Sequence, residues 1–361
     1  MSPSTEGLTG ARKNPPSSFE NASYPSRHGW EKNARAILKS TARSFYLSLQ
    51  FLPDRVSAPL GLAYLLARAT DTIADSSNSP LSERARALES LKNLILSIND
   101  STPEGSGESQ PTGEVAKLAA PMLQHIAAAN PAELRLLRET PALLEVFSTL
   151  PTSLRSPIAD VLRTIIDAQH QDILRFSYAS AAAPQALQST QDITDYTYAV
   201  AGCVGEFWTR VCETQMPGYA LVPTEQLMEH GRLFGQGLQL VNILRDMPED
   251  LRSGRCYLPM DDLAAHGLTP AQLLREPRKA REIINAWIAQ ARAWLAHGAQ
   301  YVQGIRGRRL RFSVSLPRLI GERTLDLLEE SSPLESVLRL RVPRRTVYAC
   351  ALRALAEAIE P

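Results

Sequence analysis

Four aspartates carry the strongest chemical signal in the chain. Asp71 and Asp75 stand four residues apart, as do Asp246 and Asp250, and each pair has an arginine within one helical turn, Arg68 for the first and Arg245 for the second. Side chains four apart share one face of an α-helix. Paired carboxylates beside guanidinium groups suit a hard cation shared with an anionic ligand. Mg²⁺ takes oxygen ligands, keeps several waters, and is usually held by one or two carboxylates together with phosphate oxygens. A single Asp-x-x-x-Asp pair is more often solvated surface than a site. Two pairs of the same layout make chance a poor explanation.

Helices must present both pairs. Residues 235–259 read GQGLQLVNILRDMPEDLRSGRCYLP. On a helical projection Gln239, Asn242, Asp246 and Asp250 fall on one side and Leu240, Val241 and Leu244 on the other, with Arg255 just beyond. Over residues 58–75, Tyr64, Arg68 and Asp75 gather about Asp71, and Leu62, Leu65, Ala69 and Ile73 lie opposite. Set antiparallel in a bundle, two such helices form facing walls of a cavity. A third segment, residues 192–213, aligns Tyr196, Val200, Cys203 and Phe207 on one side, with Gly202 and Gly205 behind them. The small residues permit close helix packing, and the aligned side is apolar except for one phenol.

The rest of the chain reads as helix and connecting loop. Further helices are predicted at about residues 30–52, 115–129, 132–148, 154–176, 260–266, 270–275, 278–304, 316–330 and 343–359, with strand patterns almost absent. Residues 1–28 are rich in Ser, Pro, Asn and Gly and read as a disordered tail before one domain, 29–361. Residues 99–114 are polar and aperiodic and read as an exposed loop.

Composition narrows the function classes. The chain has 361 residues, 44% of them hydrophobic, enough for a substantial core. With 39 basic against 38 acidic residues its net charge is +1, so no global field draws it to nucleic acid. Cys203, Cys212, Cys256 and Cys350 are scattered without metal-ligand spacing, and nothing at the start resembles a signal peptide, so reduced thiols and a cytoplasmic location are expected. No apolar run approaches the roughly 20 residues that span a bilayer, which leaves peripheral contact at the inner membrane face as the expected form of any membrane association. Arginines cluster at Arg306, Arg308, Arg309 and Arg311, and again at Arg339, Arg341, Arg344 and Arg345. Solvated surface and phosphate contact are the two readings of these clusters.

These motifs carry a resemblance. The pattern Gly235-x-x-x-Gln239-x-x-Asn242-Ile243-x-Arg245-Asp246-x-x-x-Asp250, followed by Arg255-x-Tyr257-x-Pro259, resembles the second signature of the squalene and phytoene synthase family. Tyr196-x-x-x-Val200-Ala201-Gly202-x-Val204-Gly205 is similar to its first signature, and Arg68-x-x-Asp71-x-x-x-Asp75 resembles its first aspartate motif. Arg43-Ser44-Phe45, then Leu52-Pro53, is similar to its N-terminal helix. All occur in the family's order.

The resemblance implies an all-α, single-domain isoprenoid synthase helical bundle with a central cavity. Asp71, Asp75, Asp246 and Asp250 would hold Mg²⁺ bridged to prenyl diphosphate oxygens, with Arg68, Arg245 and Arg255 in direct contact. Arg43, Ser44, Gln239 and Asn242 would complete the polar contacts, Val200, Cys203 and Phe207 would meet the hydrocarbon tails, and Phe45 and Phe207 would stabilise a cation through their ring faces. Tyr196 would orient a diphosphate or assist proton removal. Relatives join two prenyl diphosphates head to head through a cyclopropyl intermediate, then form squalene by hydride quenching with NADPH or phytoene-type products by proton loss. The segments AYLLARATDTIADS, AGCVGEFWTR and GRCYLP look most like those of bacterial squalene synthases, which makes farnesyl diphosphate the expected substrate and squalene the expected product. The alternatives are a phytoene or dehydrosqualene synthase, or a helical assembly factor without activity. Two departures stand out: Ala42 replaces a serine common in relatives, and Pro248 falls between the second pair of aspartates, where proline usually bends a helix.

Overall fold

Helix-forming runs punctuated by proline build nearly all of the structure, a computed structural model that describes residues 36–39, 41, 48–101, 113–335 and 340–359. The expected tail, residues 1–28, lies outside the described residues, as do Arg43, Ser44, Phe45 and most of the loop expected at 99–114. The first long helix, α1 (Asp54–Ala74), starts directly after Pro53 and is followed by α2 (Leu81–Asp100) and α3 (Glu114–Leu123). Pro131 occupies the first turn of α4 (Pro131–Ser148), where its missing N–H costs nothing, and the Asn130 side chain accepts from the amides of Ala132 and Glu133. Helix α5 (Thr152–Arg175) completes the first half.

The second half begins with β1 (Gln185–Leu187) and α6 (Thr190–Thr197), whose start is fixed by a reciprocal capping box between Ser189 and Asp192. A π-helical turn over Tyr198–Gly202 leads into α7 (Cys203–Gln215). Then come α8 (Thr224–Arg252), β2 (Arg255–Pro259), α9 (Met260–Ala265), α10 (Pro270–Leu273), α11 (Arg281–Gln303), α12 (Arg308–Glu330) and α13 (Arg344–Ile359).

Packing places the two aspartate-bearing helices on either side of α7. Helix α1 lies against α4, α5 and α7, while α8 lies against α7, the π turn, α11 and α12. The apolar residues expected to back each acidic face are in the core: Leu62, Leu65, Ala69 and Ile73 on α1, and Leu240, Val241 and Leu244 on α8. Each such Leu or Ile contributes about 1.5–3 kcal/mol relative to exposure. The crossing of α7 on α8 is backbone on backbone. A Cβ at Gly205 would sit inside the peptide group of Gly231, and one at Gly235 would strike the carbonyl of Ala201. Only glycine allows that approach.

Several boundaries differ from the sequence reading. The helix expected over 192–213 is interrupted, because the Cys203 amide bonds to the Tyr198 carbonyl, five residues back. That extra residue changes the phase between Tyr196 and the residues beyond it. Helix α12 begins at Arg308 and runs through Pro317 rather than starting at 316, and α8 runs through Pro248 to Arg252. Neither proline ends its helix, since each removes one amide donor from a segment already held by packing on its neighbours. A short parallel pairing of β1 with β2, matching Gln185 to Arg255 and Ala186 to Cys256, is the one two-stranded sheet among the described residues. Gly254, at φ +91°, turns the chain out of α8 into β2, pressed so closely on Ser180 that no side chain fits there.

Candidate active site

Each aspartate pair meets its arginine as the spacing suggests. Arg68 pairs with Asp71 and reaches Glu133 on α4 at 3.3 Å. Arg245 forks onto Asp246, Nε to Oδ1 at 2.8 Å and Nη2 to Oδ2 at 2.7 Å. Arg255, carried on β2, spans the gap between the helices: Nη2 lies 3.0 Å from Asp250 of α8 and Nη1 3.6 Å from Asp75, which caps the C-terminal end of α1. One guanidinium therefore holds a carboxylate from each pair, so the two acidic faces open on a common space. Pro248 does not displace Asp250 from this contact.

The electrostatics are those of a recess. Burial pushes the Asp71 carboxyl up to about 6, Asp75 adds to the rise and Arg68 opposes it, although the side chain is 40% exposed. Burial likewise raises Asp250 to about 6 against the opposing pull of Arg255, with Asp246, Asp172 and Asp75 adding to the rise. Desolvation disfavours the charged form of a carboxylate and so raises its pKa. Burial is also the largest influence on Arg255, but the carboxylates and Tyr257 around it outweigh that and raise its pKa, so it stays charged.

The donor set fits a hard cation completed by a ligand. Four carboxylates supply oxygen only, and among the described residues no group of three or more His, Cys, Asp or Glu side chains is arranged to hold a metal by itself. External oxygens would have to complete the coordination, as Mg²⁺ commonly requires of substrate phosphates. The Nε atoms of Arg68 and Arg255 are buried without a hydrogen-bond partner among the described residues, which leaves each fork with a donor to offer an anion.

An aromatic cluster lies close to Arg255. Tyr196, half-buried, stacks on Tyr257 with ring centroids 4.9 Å apart, and Phe176 meets the edge of Tyr257 at 5.4 Å. Burial, reinforced by Asp172, drives the Tyr196 phenol far above its ordinary range, so it remains protonated. Cys203 and Phe207 are buried in the core and Val200 is half-buried within the π turn. The Cys203 thiol donates to the Ala199 carbonyl, and burial pushes it up to about 12, which makes it an inert apolar surface. Gln239 and Asn242 touch at 3.5 Å on the polar side of α8, a long contact that leaves their amides with donors and acceptors to spare. Arg43, Ser44 and Phe45 lie outside the described residues.

Sequence reasoning missed Asp172. It sits on α5 with Oδ2 accepting from the Tyr257 hydroxyl at 2.8 Å, while Oδ1 is buried without a partner among the described residues. Burial raises this carboxyl to about 6, opposed by the Tyr257 hydrogen bond, Arg255 and Arg175. The signal was available, because Leu162, Ile165, Ile166 and Gln169 are buried and Asp172 continues their stripe at helical spacing. Glu133, the second partner of Arg68, was also passed over; nothing in its spacing marks it.

The profile of the squalene/phytoene synthase family matches residues 38–346, most of the chain. The chain belongs to that family. Among curated relatives, a bifunctional lycopene cyclase/phytoene synthase of Colletotrichum graminicola is 29% identical over 252 residues, 68% of this chain and 37% of that protein. A squalene synthase of Gibberella zeae is 24% identical over 301 residues, 81% of this chain and 57% of that protein. The chain thus spans little more than a third of the length of the bifunctional relatives it matches. A solved complex of TcSQS with the ligand BPH1237 superposes with a TM-score of 0.69 at 20% identity, covering 91% of this chain and 89% of that one. The fold is the all-α isoprenoid synthase bundle that the motifs imply.

Proposed function

We propose that this synthase condenses two molecules of farnesyl diphosphate head to head and reduces the resulting cyclopropyl diphosphate to squalene with NADPH. The observation that carries the reading is Arg255 held between Asp75 and Asp250, which joins two carboxylate pairs across one mouth above an aromatic and apolar interior. Arg68, Arg245 and Arg255 would bind the two diphosphates, and Gln239 and Asn242 would orient them. Asp71, Asp75, Asp246 and Asp250 would hold Mg²⁺. Bound there, Mg²⁺ would supply Lewis-acid stabilisation of the departing diphosphate. Fixed guanidinium groups lower the ionisation barrier in the same way, and they need no reorganisation when charge develops.

The deeper residues protect what ionisation creates. Cys203, Phe207 and Val200 offer the prenyl chains an apolar surface that excludes water, so an allylic cation is captured by the second double bond rather than by hydrolysis. Tyr196, kept protonated, donates a hydrogen bond toward a diphosphate oxygen or a developing base. Tyr257 stacks against it and is itself held by Asp172, which fixes both rings.

The choice of squalene rests on the resemblance of residues 63–76, 201–210 and 254–259 to bacterial squalene synthases. The relatives named phytoene synthase, more similar in sequence than the squalene synthase named above, favour a second reading: geranylgeranyl diphosphate in, phytoene out, with no reductant. The NADPH expectation gains no direct support from the second arginine cluster, since Arg341, Arg344 and Arg345 are exposed at the start of α13, which packs on α12, and Arg339 lies outside the described residues. Incubation of the purified chain with farnesyl or geranylgeranyl diphosphate and Mg²⁺, with and without NADPH, separates the readings. Squalene formed from farnesyl diphosphate only when NADPH is present supports the first; consumption of geranylgeranyl diphosphate alone overturns it.

A further inference from the structure

The last helix presents two opposite faces. Toward α12, Cys350, Ala354 and Ala358 are buried against Phe312, Leu316 and Leu319. On the outside, Tyr348, Leu352, Leu355 and Ile359 are 70%, 70%, 42% and 60% exposed. Their spacing of four, three and four residues gathers them into an arc of about 60°. Four large apolar side chains aligned on one exposed helical face are an organised patch, unlike the single exposed leucines that any surface carries.

Charge on the same helix is arranged to match. Arg344 and Arg345 are exposed one turn before Tyr348 and flank the apolar arc on its two sides, with Arg341 exposed just upstream. Glu357, the one acidic residue between 340 and 359, lies roughly on the opposite side of the helix and is tied to Arg318 at 2.6 Å and Arg353 at 3.2 Å. The outer face is therefore apolar along its length and basic at its N-terminal end, without a competing carboxylate of its own helix. No described helix is long and apolar enough to cross a membrane.

We infer that the outer face of α13 is a peripheral docking surface for a lipid bilayer bearing anionic headgroups. Arginines at one end meet lipid phosphates while Tyr348, Leu352, Leu355 and Ile359 enter the interface between headgroups and acyl chains. The choice of a bilayer as occupant draws on the proposed isoprenoid chemistry, whose substrate tails and product partition into lipid. The surface itself is read from the helix alone.

Sedimentation of the full chain with lipid vesicles, without substrate, tests the inference separately from the enzymatic reading. Wild-type protein is expected to bind vesicles containing about one-third phosphatidylglycerol and to bind pure phosphatidylcholine weakly, with release at about 0.5 M salt. The double variant Leu352→Glu/Leu355→Glu is expected to lose binding by tenfold or more with an unchanged melting temperature. Neutralising Arg344 and Arg345 to Gln should weaken binding roughly fivefold per arginine. Absence of wild-type binding, equal binding by the leucine variant, or a homodimer without vesicles that the leucine variant dissolves would each overturn the inference.

Discussion

Replacing Arg255 with Gln removes a side chain that, alone among the described residues, pairs with a carboxylate of each aspartate pair. The Asp75 contact is long, at 3.6 Å, and the Asp75 side chain is 59% exposed, so it contributes less than about 1 kcal/mol. Asp250 is different, with a side chain only 16% exposed and Arg255 at 3.0 Å. Breaking a fully buried pair costs about 3–5 kcal/mol. Arg255 is itself 35% exposed, and solvent screening brings the expected loss to about 1–2 kcal/mol. The effect on chemistry is larger, because a fixed donor aimed at developing negative charge is typically worth about 10²–10³ in kcat.

The same substitution gives a directional pH signature. Arg255 is the main influence holding down an Asp250 carboxyl that already stands at about 6. Without it that carboxyl rises further, and a higher pH is needed to ionise it. The acidic limb of diphosphate release, followed against pH with saturating Mg²⁺, should therefore move to higher pH in Arg255→Gln. Arg255→Lys keeps the charge and loses the fork, so the limb should stay near its wild-type position while kcat/KM falls by a smaller factor. Turnover within threefold of wild type and an unmoved limb in Arg255→Gln would refute the bridging role.

Other expectations follow from the same geometry. Asp71→Asn and Asp246→Asn should each leave the far-ultraviolet circular dichroism and melting temperature close to wild type and abolish Mg²⁺-dependent diphosphate release; normal turnover in either would favour a scaffold without activity. Asp172→Asn should raise the melting temperature by a few degrees at about pH 7.5 and lose that advantage toward about pH 4. The sign follows from a folded pKa of about 6 against an ordinary 3.8: the folded state holds the proton more tightly, so the stabilising contribution of this carboxyl is present below its ordinary range and is lost as pH rises through 6. Gly205→Val should destabilise the chain by about 3 kcal/mol or more in chemical denaturation, because its side chain would occupy the peptide group of Gly231; a loss within experimental error would mean that the two helices do not cross so closely.

Most of the layout of the candidate site was legible because helical periodicity is a strong local signal. Leu62, Leu65, Ala69 and Ile73 had to face the core, and that requirement alone aimed Arg68 and Asp71 the other way. The same held for Leu240 and Leu244 against Asp246 and Asp250. The parts that stayed hidden depend on contacts distant in sequence. Arg255 was assigned to the diphosphate, yet its place between Asp75 and Asp250 is set by Gly254 and by the pairing of β2 with β1, some seventy residues away in the chain. Asp172 is separated by 85 residues from the Tyr257 hydroxyl it accepts from, so no window on α5 could display the pair. The π turn at Tyr198–Gly202 lies where glycines bring the backbone close to α8, a contact that a projection of one isolated helix cannot show.

If both carboxylate pairs bind Mg²⁺ and diphosphate in one common mouth, calorimetric titration of inorganic diphosphate into the protein shows it most directly. Binding should require Mg²⁺ and should fall at least tenfold in Asp71→Asn and in Asp246→Asn, one from each wall. Equal affinity with and without Mg²⁺, or loss in one variant while the other binds as wild type, would contradict a shared site.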